Sequence, residues 1–204
     1  MSWFQKFEKR YHNFGIPGLL RIVAIMQVLV YVLILLNPQV TEVLRLNFDL
    51  VKEGQIWRLF TFALLPNSLD IVGMLFAVLM LLWVGDALES DWGAFRVTLY
   101  YFGTIAMMVL ASRFGPIQFI SSELIYLSIF LAFATTFPST VINLYGILPV
   151  PAKWLGWLDL ARIGFLLYTL PQLRVGILMS LAPFLLLAVP IRIRHSRQRI
   201  RVGY

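Results

Sequence analysis

The chain has 204 residues, of which 60% are hydrophobic and only 13% are charged, and its net charge is +7. Soluble domains average about 25% charged residues, so this composition, with its long apolar runs, excludes an ordinary soluble domain and predicts an integral membrane protein. The absence of cysteine excludes disulfides and thiolate metal sites, and His12 and His195 lie far apart in polar end segments. We therefore expect no metal and no other cofactor.

Six apolar runs predict an all-α bundle of six transmembrane helices, preceded by an interfacial segment at 1–16 and followed by a basic tail at 191–204. Within the transmembrane domain, 17–190, the predicted helices cover about 17–36, 69–85, 94–112, 118–137, 154–170 and 172–190. The intervening segments are a long semi-polar loop at 38–68, a tight acidic turn at 85–93 and a connector at 139–153.

Most lysines and arginines fall in the segments on the side of the two termini, which predicts that both termini are cytoplasmic. The same rule explains the net charge, so we expect no nucleic acid partner. The basic tail is expected to attract anionic membrane lipid. The length of the chain and the bias of its lysines and arginines towards one side are typical of a protein of the bacterial inner membrane.

Two segments carry spaced motifs. The segment VKEGQIWRLFTFALLP, 51–66, holds the pair Trp57-Arg58 in the first loop. The segment LWVGDALESDWGAFRVTLYYFGT, 82–104, holds a pattern of Gly, Leu-Glu and Gly ahead of an aromatic-rich helix. The residues of this pattern are Gly85, Leu88, Glu89 and Gly93.

A third segment, AFATTFPSTVINLYGILPVPAKWLG at 132–156, joins the fourth and fifth predicted helices. In this order and spacing, the three segments resemble the rhomboid family of intramembrane serine proteases over nearly the whole chain. The resemblance implies a six-helix fold and, in active members, a Ser-His dyad that cleaves peptide bonds within the membrane.

The residues of that dyad are not found at the matching positions. The family's nucleophile position falls on Glu123 and its base position on Leu173, while the positions that stabilise the oxyanion fall on Gly73 and Ala77. A serine hydroxyl needs a base to become a nucleophile, and no histidine lies between His12 and His195. The sequence therefore predicts a rhomboid-like pseudoprotease.

A Ser-Lys dyad is the usual substitute, but the lysines are not central in any predicted helix. They are Lys6, Lys9, Lys52 and Lys153. Ser121, Ser122 and Ser128 are alternative nucleophiles that lack a neighbour able to activate them.

Small residues recur four apart at Gly73 and Ala77 and again at Gly176 and Ser180, a spacing that lets membrane helices pack closely. We expect this packing to fill the cavity that a protease requires, and the alternative is a retained ligand cavity. Trp57 and Arg58 are expected to hold the first loop at the interface, as in the resembling family, or to be a generic interfacial Trp with a snorkelling Arg.

Glu123 and Arg162 are charges inside predicted helices, which is costly without a partner. Because both lie at similar depth, we expect them to pair; Arg174 and Asp159 are rival partners, and a protonated Glu123 is a further alternative. Glu89 is expected to bond backbone amides, as the matching family residue does, or else to be a solvated acid.

These observations predict a non-proteolytic membrane protein that binds other membrane proteins through the surface between its second and fifth helices. It would act as a chaperone, a trafficking factor or an accessory subunit of a membrane complex. Two alternatives stay open. One is an active intramembrane protease with an atypical dyad, and the other is a small-molecule carrier or channel, for which Gln27 and Asn143 add to the few polar residues along a path.

Overall fold

The structure, a computed structural model, describes residues 14–112, 122–144, 148–171 and 174–190. Its described part contains six main helices. They are α1 (Leu19–Leu36), α2 (Ile71–Trp92), α3 (Ala94–Ala111), α4 (Ser122–Thr136), α5 (Ala152–Thr169) and α6 (Arg174–Pro183), which continues as a π-helical turn, Phe184–Ala188. The helices α1, α2 and α3 are long and apolar enough to cross a membrane, whereas α4 and α6 are apolar but shorter.

The second helix is longer than predicted. Asp70 begins it, because its carboxylate accepts a hydrogen bond from the backbone N–H of Gly73 at 2.7 Å. The Ser68 hydroxyl and this N–H lower the pKa of Asp70 below its usual value of 3.8. The predicted turn at 85–93 is wrong, since the helix continues to Trp92. The chain reverses only at Gly93, whose φ of 80° is readily adopted by glycine alone.

The long loop at 38–68 contains short helices that the sequence did not predict. They are Val40–Leu44, Phe48–Lys52 and Arg58–Thr61, with a 3-10 turn at Phe62–Leu64. Leu46 and Phe62 are fully buried, so the loop contributes to the core instead of lying loosely on its surface.

The predicted connector at 139–153 folds as a small antiparallel hairpin. Strand β1 (Val141–Leu144) pairs with β2 (Leu148–Pro151), and Val141 lies opposite Pro151. The described chain is therefore mostly helical, as predicted, but it also contains a two-stranded β-hairpin that the predicted all-α fold lacks.

Helix α4 lies at the centre and is buried along most of its length. Helix α6 packs on α3 and α4, α1 packs on α2, and α5 packs mainly on α4. Little of α5 is buried, and its few buried residues are Ala152, Gly156 and Ile163. The predictions for residues 1–13, for the tail at 191–204, for Ser121 and for Leu173 lie outside the described residues.

Candidate functional site

An open cavity of about 360 Å³ lies between α2, α4 and α5. Its walls are mostly apolar, with a few polar side chains around them. The apolar lining comes from Met74, Phe76, Ala77, Met80, Leu81, Val84, Leu127, Ile129, Phe130, Leu155 and Leu158, and the polar lining from Gln27, Asn67, Glu123, Tyr126, Asp159 and Arg162. The cavity reaches the surface, because Leu158 lines it and still exposes 65% of its area.

An ion pair between Glu123 and Arg162 lies in this cavity. Glu123 stands in the first turn of α4 and Arg162 in the second half of α5, so the pair joins the two helices across the cavity. The two side chains expose 48% and 45% of their areas. The pairing expected from their depths is thus confirmed.

The rival partners take no part in this ion pair. Arg174 donates a hydrogen bond to the backbone carbonyl of Leu167 at 2.9 Å. Asp159 lines the cavity, but no described residue forms a hydrogen bond or ion pair with its carboxylate. Asp159 is half-buried, and the neighbouring Arg162 pairs with Glu123 instead of with it.

Polar side chains of α4 near the cavity form hydrogen bonds with the end of the first loop. The Tyr126 hydroxyl donates to the carbonyl of Ala63 at 3.0 Å and also meets the amide of Gln27. The Ser122 hydroxyl lies 2.8 Å from both the Leu65 carbonyl and the Asn67 amide oxygen. These contacts fix the end of the loop against α1 and α4.

The small residues of α2 do not close the cavity, so that prediction is wrong. A Cβ on Gly73 would meet the Asp70 carboxylate at 2.5 Å and the Ser68 hydroxyl at 2.6 Å, so Gly73 makes room for its own helix cap and not for a neighbouring helix. Ala77 lines the cavity, and its short side chain leaves space there. The alternative of a retained cavity is the one that the structure contains.

The small residues of α6, Gly176 and Ser180, are buried against neighbouring helices. Gly176 is buried, and a Cβ there would come within 3.7 Å of Leu124 on α4. The Ser128 hydroxyl of α4 donates to the backbone carbonyl of Ser180 at 2.9 Å and lies 2.7 Å from the Tyr100 hydroxyl. Ser128 is therefore a structural link between helices.

Neither described candidate nucleophile has a base beside it. Ser122 and Ser128 are buried, and both hydroxyls already have the acceptors given above. The described range includes neither histidine, and neither of its lysines, Lys52 and Lys153, lines the cavity. The described residues also hold no group of three or more His, Asp or Glu side chains suited to a metal ion.

Arg58 is the organiser of the first loop. It is only 6% exposed and donates to the backbone carbonyls of Glu42 at 2.6 Å and Arg45 at 2.8 Å and to the Gln55 side chain at 2.7 Å. This burial excludes a snorkelling arginine. Trp57 beside it is about half exposed, as an interfacial aromatic residue would be.

Residues of the second motif connect α1, α2 and α3. A Cβ on Gly85 would come within 2.7 Å of the Leu20 Cβ, so this glycine allows α1 and α2 to cross closely. The Glu89 carboxylate accepts hydrogen bonds from the Gly18 N–H, as expected for a residue that binds backbone amides. Gly93 makes the reversal into α3.

Sequence reasoning missed the roles of Tyr126 and Asn67. A tyrosine among apolar residues on α4 is indistinguishable from a packing residue until the loop carbonyl that it reaches is known. From the sequence, Asp159 is a potential partner for Arg162, and no local signal shows that its carboxylate lines a cavity.

No protein-family model, curated protein or solved structure matches this chain.

Proposed function

We propose that this protein is a non-proteolytic, rhomboid-like membrane protein that binds transmembrane segments of other membrane proteins in the cavity between α2 and α5. In this proposal the six main helices all cross the bilayer, both termini are cytoplasmic, and the membrane is a bacterial inner membrane. The protein would serve as a chaperone, a trafficking factor or an accessory subunit of a larger membrane complex.

The observation that carries the proposal is the open, apolar cavity with an ion pair inside it. Exposed apolar residues extend along α5 beyond the cavity: Leu158 lines it, and Phe165, two helical turns further on the same face, is also exposed. A partner helix lying along this opening would contact an apolar surface. The ion pair of Glu123 and Arg162 would then be shielded from lipid by the partner.

The absence of proteolysis is supported by the site itself. The resemblance places Glu123 at the position of the proteases' serine, and Glu123 is paired with Arg162. Ser122 beside it holds the loop through Leu65 and Asn67. A hydroxyl with these acceptors and with no base among the described residues lacks the means of activation that serine catalysis requires.

Site-specific photocrosslinking in native membranes tests the proposal. A photoreactive amino acid replaces Leu158 in the cavity or, as the matched control, the equally apolar and half-exposed Leu33 of α1, which lies outside the cavity lining. We expect a discrete membrane-protein adduct at position 158 that is absent at position 33, and that forms again when both purified proteins are reconstituted. Equal labelling at the two positions would contradict binding in the cavity.

An activity-based serine probe tests the protease alternative separately. We expect no labelling of the purified protein. Labelling that disappears in Ser121→Ala or Ser122→Ala would establish a reactive serine and overturn the non-proteolytic assignment.

The cavity volume favours a second candidate, a small-molecule carrier, because ligand pockets commonly measure about 300–1,000 Å³. Exchange of a membrane-permeant apolar fluorophore into the cavity, blocked by Ala77→Trp, would support it. An unchanged signal in Ala77→Trp would exclude this cavity as the ligand site.

A further inference from the structure

The charges of the described residues that line the cavity do not balance. Among these residues, two carboxylates, Glu123 and Asp159, face the cavity together with one guanidinium, that of Arg162. The guanidinium of Arg162 pairs with Glu123, although Asp159 lies only three residues before Arg162 on the same helix. Asp159 is half-buried and has no hydrogen bond or ion pair with any residue in the described part of the chain.

An ionised Asp159 carboxylate without a partner raises the free energy of the protein at this position. A charge in an apolar environment with no partner is strongly unfavourable, and acids within membrane helices normally have a cation or a donor beside them. The apolar walls around Asp159, such as Leu155 and Leu158, supply neither. The missing group can come from whatever occupies the cavity.

We propose that the occupant is a transmembrane helix of a partner protein that carries a lysine or arginine at the depth of Asp159, and that this cation pairs with Asp159. This inference rests on the proposed function and specifies the class of partner. A helix fits better than a free amphiphile because exposed apolar residues extend along α5 beyond the cavity: Leu158 lines it, and Phe165, two helical turns further on the same face, is also exposed. The partner's basic residue would cost less here than in lipid, because Asp159 compensates it.

The test uses the full chain reconstituted in zwitterionic vesicles with a photoreactive residue at position 158. The probes are apolar peptides of about twenty residues, each long enough to span the bilayer, with lysine, norleucine or glutamate at one central position. Norleucine has the straight alkyl stem of lysine without its charge. A series with lysine moved by one helical turn locates the preferred depth.

We expect the lysine peptide to crosslink about fivefold more efficiently than the norleucine peptide at one depth, and the glutamate peptide to crosslink least. In Asp159→Asn the lysine advantage should disappear while norleucine crosslinking is unchanged, which also shows that the variant is folded. Glu53→Gln, which removes an exposed acid of the first loop, should keep the full advantage.

The failures are distinguishable. Equal crosslinking of the lysine and norleucine peptides at position 158, with none at position 33, would overturn this inference and leave helix binding intact. Equal crosslinking of all peptides at positions 158 and 33 would overturn both. If dodecylamine raises the melting temperature in an Asp159-dependent way and no lysine advantage is found, the cation site serves an amphiphilic amine, and the partner-helix assignment is overturned.

Discussion

Both carboxylate oxygens of Glu89, near the end of α2, accept a hydrogen bond from the backbone N–H of Gly18, at 3.0 and 2.9 Å. Gly18 precedes the first residue of α1 and has a φ of 66°, so the carboxylate receives an N–H that the helix itself does not use. Helices distant in sequence are thereby joined at one end, beside a second link between Arg21 and Asp86 at 2.6 Å.

Removal of the Glu89 carboxylate should destabilise the protein. We expect Glu89→Ala to cost roughly 1–3 kcal/mol, because a partly buried N–H loses its charged acceptor. Glu89→Gln retains one acceptor oxygen and should cost less. Thermal unfolding in mild detergent measures both. Glu53→Ala, an exposed acid of the first loop, is the control, and an equal loss in it would show that the effect does not come from the Gly18 contact.

Arg58 should be irreplaceable by lysine. Its guanidinium bonds two backbone carbonyls and a side chain at once, which a single ammonium group cannot reproduce. We expect Arg58→Lys and Arg58→Gln each to destabilise the protein by roughly 2–4 kcal/mol and to expose residues 38–68 to proteases. Limited proteolysis in detergent, with exposed Arg45→Gln as the control, checks this. Loop cleavage as slow in Arg58→Lys as in the unaltered protein would contradict it.

The positions of the main helices and the pairing of Glu123 with Arg162 were predictable from the sequence. The length of an apolar run predicts a helix, and the fixed rise per residue gives the depth of each side chain along it. Two opposite charges at the same depth in apolar helices have few other partners. The end of α2 was not predictable. Asp86 and Glu89 suggested a turn, yet they are helical and bind groups of α1 that local sequence does not reveal.

The cavity was also beyond sequence reasoning. Small residues four apart are compatible with either close packing or empty space, and the choice depends on where the neighbouring helix lies. Gly176 faces Leu124 and packs, whereas Ala77 faces the gap between α2 and α5. The hairpin of β1 and β2 was missed because Pro149 and Pro151 in its second strand suggest an irregular connector.

Two glycines of the bundle should respond oppositely to the same substitution. Gly85→Ala would place a Cβ 2.7 Å from that of Leu20, so α1 and α2 must separate, and we expect a loss of roughly 1–3 kcal/mol. Gly103 lies within α3, and a methyl group added there would meet no neighbouring atom of the described chain within 4 Å. Gly103→Ala should therefore be neutral or stabilising by up to about 1 kcal/mol. Thermal unfolding compares them, and a similar loss in both would show that the crossing at Gly85 is not tight.

The ion pair in the cavity should show energetic coupling. We expect Glu123→Gln and Arg162→Gln each to lower the unfolding temperature, because each removes the ion pair between α4 and α5. The loss should be larger in Arg162→Gln, which leaves both Glu123 and Asp159 without this cation. The double variant should be less destabilised than the sum of the single ones. Because both side chains are about half exposed, we expect a coupling free energy of about 1 kcal/mol, which a double-mutant cycle in detergent at low salt measures. The matched cycle is the surface pair of Lys52 and Asp49, 3.2 Å apart on one short helix, which should give a smaller coupling. Additive losses at Glu123 and Arg162 would show that the pair does not hold α4 to α5, and packing contacts such as that of Gly156 with Ala134 would then have to hold the two helices together.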